Sequence, residues 1–74
     1  PPNRNVEAAL AVFYHCARKL EIEPSELFEE TSQFADDEMA SRMLEFGRKQ
    51  DVTLKQYGWR EIKTPDGVRY KFEW

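Results

Sequence analysis

Apolar residues recur at intervals of three and four along residues 6–20, and this spacing predicts a first helix with one buried face. Asn5 stands immediately before this segment and is the predicted N-cap, because its side-chain oxygen can accept a hydrogen bond from a free backbone N–H. The helix is predicted to end before Pro24, since the residue that precedes a proline is disfavoured in the α region.

Two further helices follow from the same kind of pattern. The pattern over residues 26–31 predicts a short helix, and its acidic first turn suits the positive end of the helix dipole. Residues 37–49 predict a third helix. Acidic side chains stand at its start and Arg48 and Lys49 at its end, so its charges complement the dipole at both termini.

The segment between the third helix and the hairpin carries a weaker pattern. Thr53 could cap a single helical turn there, and Gly58 supplies the left-handed residue that commonly ends one. An irregular loop fits the same residues.

The C-terminal residues alternate between apolar and charged side chains, which predicts a β-hairpin with strands at residues 59–64 and 68–74. The Pro65-Asp66-Gly67 sequence between the strands is typical of a type I turn followed by a glycine bulge. That turn would place Thr64 opposite Val68 and so set the register of the whole hairpin.

The predicted register separates an apolar face from a charged face that contains Trp59. The fold class that follows is α+β, with three helices packed on the apolar face of a C-terminal antiparallel β-hairpin. Hydrophobic residues make up 41% of the chain and aromatic residues 14%, which is enough to expect a compact core. We expect residues 1–74 to form a single small domain, excised from a longer protein.

Few side chains could support catalysis or metal binding. The chain has one histidine, His15, and one cysteine, Cys16. Neighbouring residues on a helix point about 100° apart, so these two are poorly placed to act as a base and its nucleophile. The acidic residues near the predicted helix starts lack the spacing of a calcium loop. We therefore expect a protein that is not an enzyme, with no cofactor, no metal and no small-molecule substrate.

The chain also shows no targeting pattern. Its apolar runs are too short to span a bilayer, and its first residues lack the basic and apolar segments of a secretory signal. A single cysteine excludes an internal disulfide. We expect no contact with membranes and a cytoplasmic, reducing location.

Charge is distributed unevenly along the chain. Residues 1–41 carry three basic and nine acidic side chains, a net charge of −6, whereas residues 42–74 carry eight basic and five acidic side chains, a net charge of +3. Together they give the net charge of −3 of the whole chain. A molecule polarised in this way can orient a charged partner even though its total charge is small.

The first functional hypothesis is a non-catalytic protein-interaction module that binds a protein, or another domain of its parent chain, through the charged face of the hairpin. Trp and Arg are the residues that most often anchor interfaces. The alternative for Trp59 is burial beneath the first helix or the segment that precedes the hairpin. The predicted partner-binding residues are Trp59, Arg60, Lys63, Arg69 and Lys71.

The alternative hypothesis is a winged-helix-like module that binds nucleic acid, because three helices followed by a hairpin match that outline. Its phosphate-binding residues would be Arg48, Lys49, Lys55, Lys63 and Arg69. An isoelectric point near 5.1 weakens this hypothesis, since non-specific affinity for nucleic acid comes mainly from phosphate neutralisation. The sequence therefore favours the interaction module.

Overall fold

The computed structural model describes residues 4–28 and 36–73 of the chain. It confirms the α+β class, because helices pack against a two-stranded antiparallel sheet at the C-terminal end. In chain order the elements are helices α1 (Arg4–Leu20), α2 (Pro24–Phe28) and α3 (Asp36–Lys49), a 3₁₀ turn (Leu54–Tyr57), and strands β1 (Trp59–Thr64) and β2 (Gly67–Phe72).

Helix α1 begins at Arg4, two residues before the start predicted from the sequence. Asn5 lies inside the helix, and its side-chain amide donates a hydrogen bond to Asp37 Oδ1 at 3.3 Å instead of capping α1. Helix α2 also begins earlier than predicted, at Pro24, because the fixed φ of proline suits the first helical position. The predicted end of that helix, residues 29–31, lies outside the described residues.

The predicted single turn before the hairpin is present as the 3₁₀ turn Leu54–Tyr57. Gly58 ends this turn in the left-handed region, at φ 84°, and its N–H donates to the Lys55 carbonyl at 3.1 Å. Thr53 occupies the capping position without a side-chain hydrogen bond to the turn. The turn therefore depends on Gly58 rather than on its predicted cap.

The core forms where α1 packs on α3. Val12, Phe13 and Cys16 of α1 are almost fully buried, as are Met43 and Leu44 of α3. Cys16 is a free thiol within this core. Apolar contact between the two helical faces therefore accounts for the amphipathic spacing of both segments.

Gly47 sets how closely the two main helices approach. A Cβ atom built on Gly47 would lie 2.4 Å from Val12 Cγ1, far inside a normal contact distance, and 3.8 Å from Cys16 Sγ. Because a side chain at this position has no room, glycine in the last turn of α3 serves packing rather than backbone freedom.

The predicted register of the hairpin is wrong by one residue. Thr64 pairs with Gly67, not with Val68, so Pro65 and Asp66 form a two-residue connection without a bulge. The Thr64 hydroxyl donates to the Gly67 carbonyl at 2.9 Å across this connection. A shift of one residue exchanges the two faces of a strand relative to its partner.

The observed register brings Trp59 opposite Phe72. Trp59 is only 4% exposed, and its ring centroid lies 5.1 Å from that of Phe72. The predicted place of Trp59 on the charged outer face is therefore wrong, because this register buries the indole with the apolar residues of β2. Residue 74, the predicted end of the second strand, lies outside the described residues.

We expect Gly47→Ala to destabilise the fold by about 1–3 kcal/mol, because the added methyl group overpacks the contact with Val12. In an unhindered helix the same change would stabilise by roughly 1 kcal/mol, so the sign of the effect is diagnostic. Urea unfolding followed by circular dichroism measures it. Ser41→Ala, at an exposed position of α3, is the matched control and should change stability little. A stabilised Gly47→Ala protein would contradict the close approach of the helices.

Candidate functional site

The face of the hairpin that points away from the helices carries a concentration of positive charge. The pairs on this face are Arg60 with Lys71, Ile62 with Arg69, and, beside the turn, Thr64 with Gly67. Arg60, Arg69 and Lys71 are exposed, whereas Ile62 is half-buried. Two cations directly opposite each other on neighbouring strands disfavour the isolated hairpin. We call Arg60, Ile62, Arg69 and Lys71 the basic face.

One acidic residue partly offsets the charge of the basic face. Arg60 Nε lies 3.1 Å from Glu73 Oε1, and both side chains remain largely exposed. Within residues 4–28 and 36–73, Arg69 and Lys71 have no ion-pair partner. The basic face therefore retains an excess of positive charge, even though the whole chain is acidic.

Ile62 is the apolar residue of the basic face. Its side chain takes no part in the hydrophobic core formed by the helices and the inner face of the hairpin. The long aliphatic parts of arginine and lysine side chains commonly cover such a residue. A half-buried apolar group surrounded by cations is a suitable centre for a small protein interface.

Lys63 does not share the basic face with Arg69, although the predicted register paired them. Lys63 pairs with Val68 and lies on the other side of the sheet, exposed near the turn. Of the five predicted partner-binding residues, the structure therefore brings together Arg60, Arg69 and Lys71. Burial removes Trp59 from the accessible surface.

Arg48 belongs to a polar cluster that joins α3 to the inner face of the hairpin. It forms an ion pair and hydrogen bonds with Glu45, and its Nε donates to the Tyr70 hydroxyl at 3.2 Å. The Tyr70 hydroxyl donates in turn to Glu45 Oε2 at 2.5 Å. Glu61 of β1 lies 3.8 Å from Arg48 Nε. The Arg48 guanidinium is thus held by groups of its own chain.

These contacts change the acidity of the groups involved. Hydrogen bonds from Tyr70 and then Arg48 lower the pKa of the Glu45 carboxyl, because both favour its ionised form. Partial burial, followed by the hydrogen bond to Glu45, raises the pKa of Tyr70 to about 12. Hydrogen bonds with Glu45 and then Tyr70 raise the pKa of the Arg48 guanidinium above its usual value, so this group stays charged.

The nucleic-acid-binding residues predicted from the sequence are dispersed in the structure. Arg48 is engaged in the α3 cluster, and Lys63 and Arg69 lie on opposite faces of the hairpin. Lys49 and Lys55 are exposed on α3 and the 3₁₀ turn. Only Arg69 of this set therefore belongs to the basic face.

The histidine and the cysteine have separate environments. His15 Nδ1 lies 2.6 Å from the Tyr57 hydroxyl, so the ring joins α1 to the 3₁₀ turn. Cys16 is buried, which raises the pKa of its thiol. Among the residues that the structure describes, no group of three or more His, Cys, Asp or Glu side chains is arranged to hold a metal ion. None of the described helices combines the length and the apolar character needed to cross a membrane.

A groove beside β2 was not foreseen from the sequence. It has a volume of about 380 Å³ and is lined by Ser41 of α3, by the hairpin turn, and by Val68, Arg69 and Tyr70 of β2. The position of the groove depends on how α3 docks on the sheet.

Comparison with family models, with curated proteins and with solved structures finds no match for this chain.

We expect iodide to quench the fluorescence of Trp59 poorly. In a Trp74→Phe variant Trp59 is the only tryptophan, and its side chain is almost completely buried. Stern–Volmer titration of the folded and urea-unfolded variant measures the difference, and the unfolded chain provides the reference for full access. Equal quenching in both states would contradict the register that pairs Trp59 with Phe72.

We expect Tyr70 to make stability depend on pH at alkaline values. Its pKa is raised in the folded state, so its contribution is fully present below about pH 10 and is lost as the pH rises towards about 12. The Glu45 carboxyl has the opposite pH dependence. Because its pKa is lowered in the folded state, its contribution to stability is lost as the pH falls through that lowered pKa.

Ultraviolet absorbance of tyrosinate, combined with urea unfolding across the alkaline range, tests this prediction. Tyr70→Phe should remove the latest tyrosine titration step and flatten the alkaline loss of stability. Tyr14→Phe, at an exposed position, is the control and should leave that step in place. A late step that persists in Tyr70→Phe would contradict the cluster.

Proposed function

We propose that this domain is a non-catalytic protein-interaction module whose basic face binds an acidic surface, either on another protein or on another domain of its parent chain. The observation that carries the proposal is the arrangement around Ile62, a half-buried apolar residue opposite Arg69 and beside the directly opposed cations Arg60 and Lys71. Like charges in this position weaken the free hairpin. An anionic partner relieves that repulsion when it binds.

The chemistry of the face favours a protein over nucleic acid as the partner. Phosphate binding gains from many cations and little from an apolar residue, whereas a protein interface gains from an apolar centre within a polar rim. The start of α3, the helix that a winged-helix protein would insert into DNA, carries Asp37 and Glu38, which repel phosphates.

We also propose a cytoplasmic location, since a single buried thiol suits a reducing compartment.

The experiment is a titration of the ¹⁵N-labelled domain with an acidic peptide of mixed Glu and Leu residues, followed by NMR at low and then at higher salt. We expect the largest shifts at Arg60, Ile62, Arg69 and Lys71. Reversing two charges, in Arg69→Glu/Lys71→Glu, should abolish binding, because it removes the cations of this face that have no ion-pair partner among the described residues. Lys55→Glu, on the 3₁₀ turn, is the matched control and should retain binding.

Ile62→Thr separates the two classes of partner. It keeps the charges and the β-branched shape but removes apolar contact, so peptide affinity should fall about fivefold, which corresponds to ~1 kcal/mol. Duplex and single-stranded DNA and RNA are titrated in parallel. Tighter, steeply salt-dependent binding of nucleic acid that Ile62→Thr leaves unchanged would overturn the protein partner in favour of nucleic acid.

A further inference from the structure

The outer edge of β2 presents backbone groups that the hairpin does not use. In an antiparallel ladder, hydrogen-bonded pairs alternate with pairs whose backbone groups point away from the partner strand. The Glu73 N–H donates to the Gly58 carbonyl at 2.8 Å, so these two residues form a hydrogen-bonded pair. Because the two kinds of pair alternate, the pairs that include Lys71, Arg69 and Gly67 are also hydrogen-bonded pairs. The N–H and C=O groups of Val68, Tyr70 and Phe72 therefore point away from β1.

Among the residues that the structure describes, no further strand pairs with these backbone groups. Within residues 4–28 and 36–73, no backbone hydrogen bond from outside the hairpin reaches Val68, Tyr70 or Phe72. A row of unpaired donors and acceptors on an edge strand is a template for a further strand. The groove of about 380 Å³ is lined by Val68 and Tyr70 of this strand together with the hairpin turn and Ser41 of α3.

We propose that this groove binds an extended acidic segment of a partner protein, which adds to β2 as a third, antiparallel strand. The inference rests on the proposed function and specifies how Arg69 and Lys71, the residues of the basic face that belong to β2, engage the partner. Residues opposite each other on neighbouring strands share a face of the sheet. Acidic side chains of the added strand therefore lie opposite Arg69 and Lys71, and its alternate residues lie opposite Val68 and Tyr70, towards the groove.

Charge decides which strand can occupy the edge. A second copy of β2 in antiparallel pairing would bring Arg69 and Lys71 of one chain beside the same cations of the other, which disfavours self-association through this edge. An acidic segment instead pairs opposite charges along the outer face. The antiparallel direction is chosen because it is the slightly more stable form of pairing.

The probe is an acetylated peptide of alternating Glu and Thr residues, long enough to pair with the whole of β2. With Glu opposite Arg69 and Lys71, the Thr residues lie opposite Val68 and Tyr70, and the Thr amides form the bonds to the edge. N-methylation of the Thr amides should therefore weaken binding by about tenfold or more, whereas N-methylation of the Glu amides should not. The two methylated peptides have the same charge and composition of side chains.

A matched pair of variants tests the same bonds from the side of the domain. Val68→Pro removes an N–H that the hairpin ladder does not use, and proline is tolerated at such edge positions. Val68→Thr keeps that N–H. We expect the unmodified peptide to bind Val68→Pro about tenfold more weakly than Val68→Thr. Circular dichroism verifies that both variants fold, and if Val68→Pro does not, the methylated peptides decide the question on the native domain.

The outcomes separate the two proposals. Loss of affinity with Thr methylation, but not with Glu methylation, supports strand addition. Equal binding of both methylated peptides, together with loss of binding in Arg69→Glu/Lys71→Glu, overturns strand addition and leaves the basic face as the binding surface. Failure of all peptides to bind, or binding that the charge reversal does not alter, overturns both.

Discussion

Burial of the Trp59 indole against Phe72 is the interaction on which the arrangement of the hairpin depends. A tryptophan that loses roughly 200 Å² of accessible surface gains about 5 kcal/mol at the usual coefficient for apolar area. The indole N–H has no hydrogen-bond partner among the described residues, and an unpaired buried donor costs about 1–3 kcal/mol. Apolar burial therefore exceeds the cost of the unpaired N–H. The register that buries Trp59 also places Arg69 and Lys71 on the outer face.

The cluster of Glu45, Arg48 and Tyr70 complements this burial two residue pairs closer to the hairpin turn. Trp59 and Phe72 attach the hairpin to the core at the start of β1, and Tyr70, in the middle of β2, attaches it to α3. Two separated attachments limit rotation of a small sheet better than one. They keep the basic face turned away from the helices and maintain the groove between α3 and β2.

The sequence was sufficient to predict elements that depend on local patterns. The periodic apolar spacing located α1 and α3, and Gly58 indicated the end of a turn, because these features depend on neighbouring residues. The register was predicted wrongly because the turn residues fit two connections that differ by one residue, and only the tertiary burial of Trp59 decides between them. The α3 cluster and the groove depend on docking between distant segments, which the local pattern does not encode.

The polarity of the chain gives the basic face a further constraint. The acidic half that precedes residue 42 could attract the basic face of a second copy. Such a contact joins two different surfaces, so it produces an open filament of many copies unless the rotation between neighbouring copies closes a ring. The net charge of −3 opposes the accumulation of copies that this requires. A separate acidic partner relieves the repulsion between Arg60 and Lys71 without that open-ended growth. The charge distribution is therefore an argument for the proposed recognition of a different polypeptide over assembly of the domain with itself.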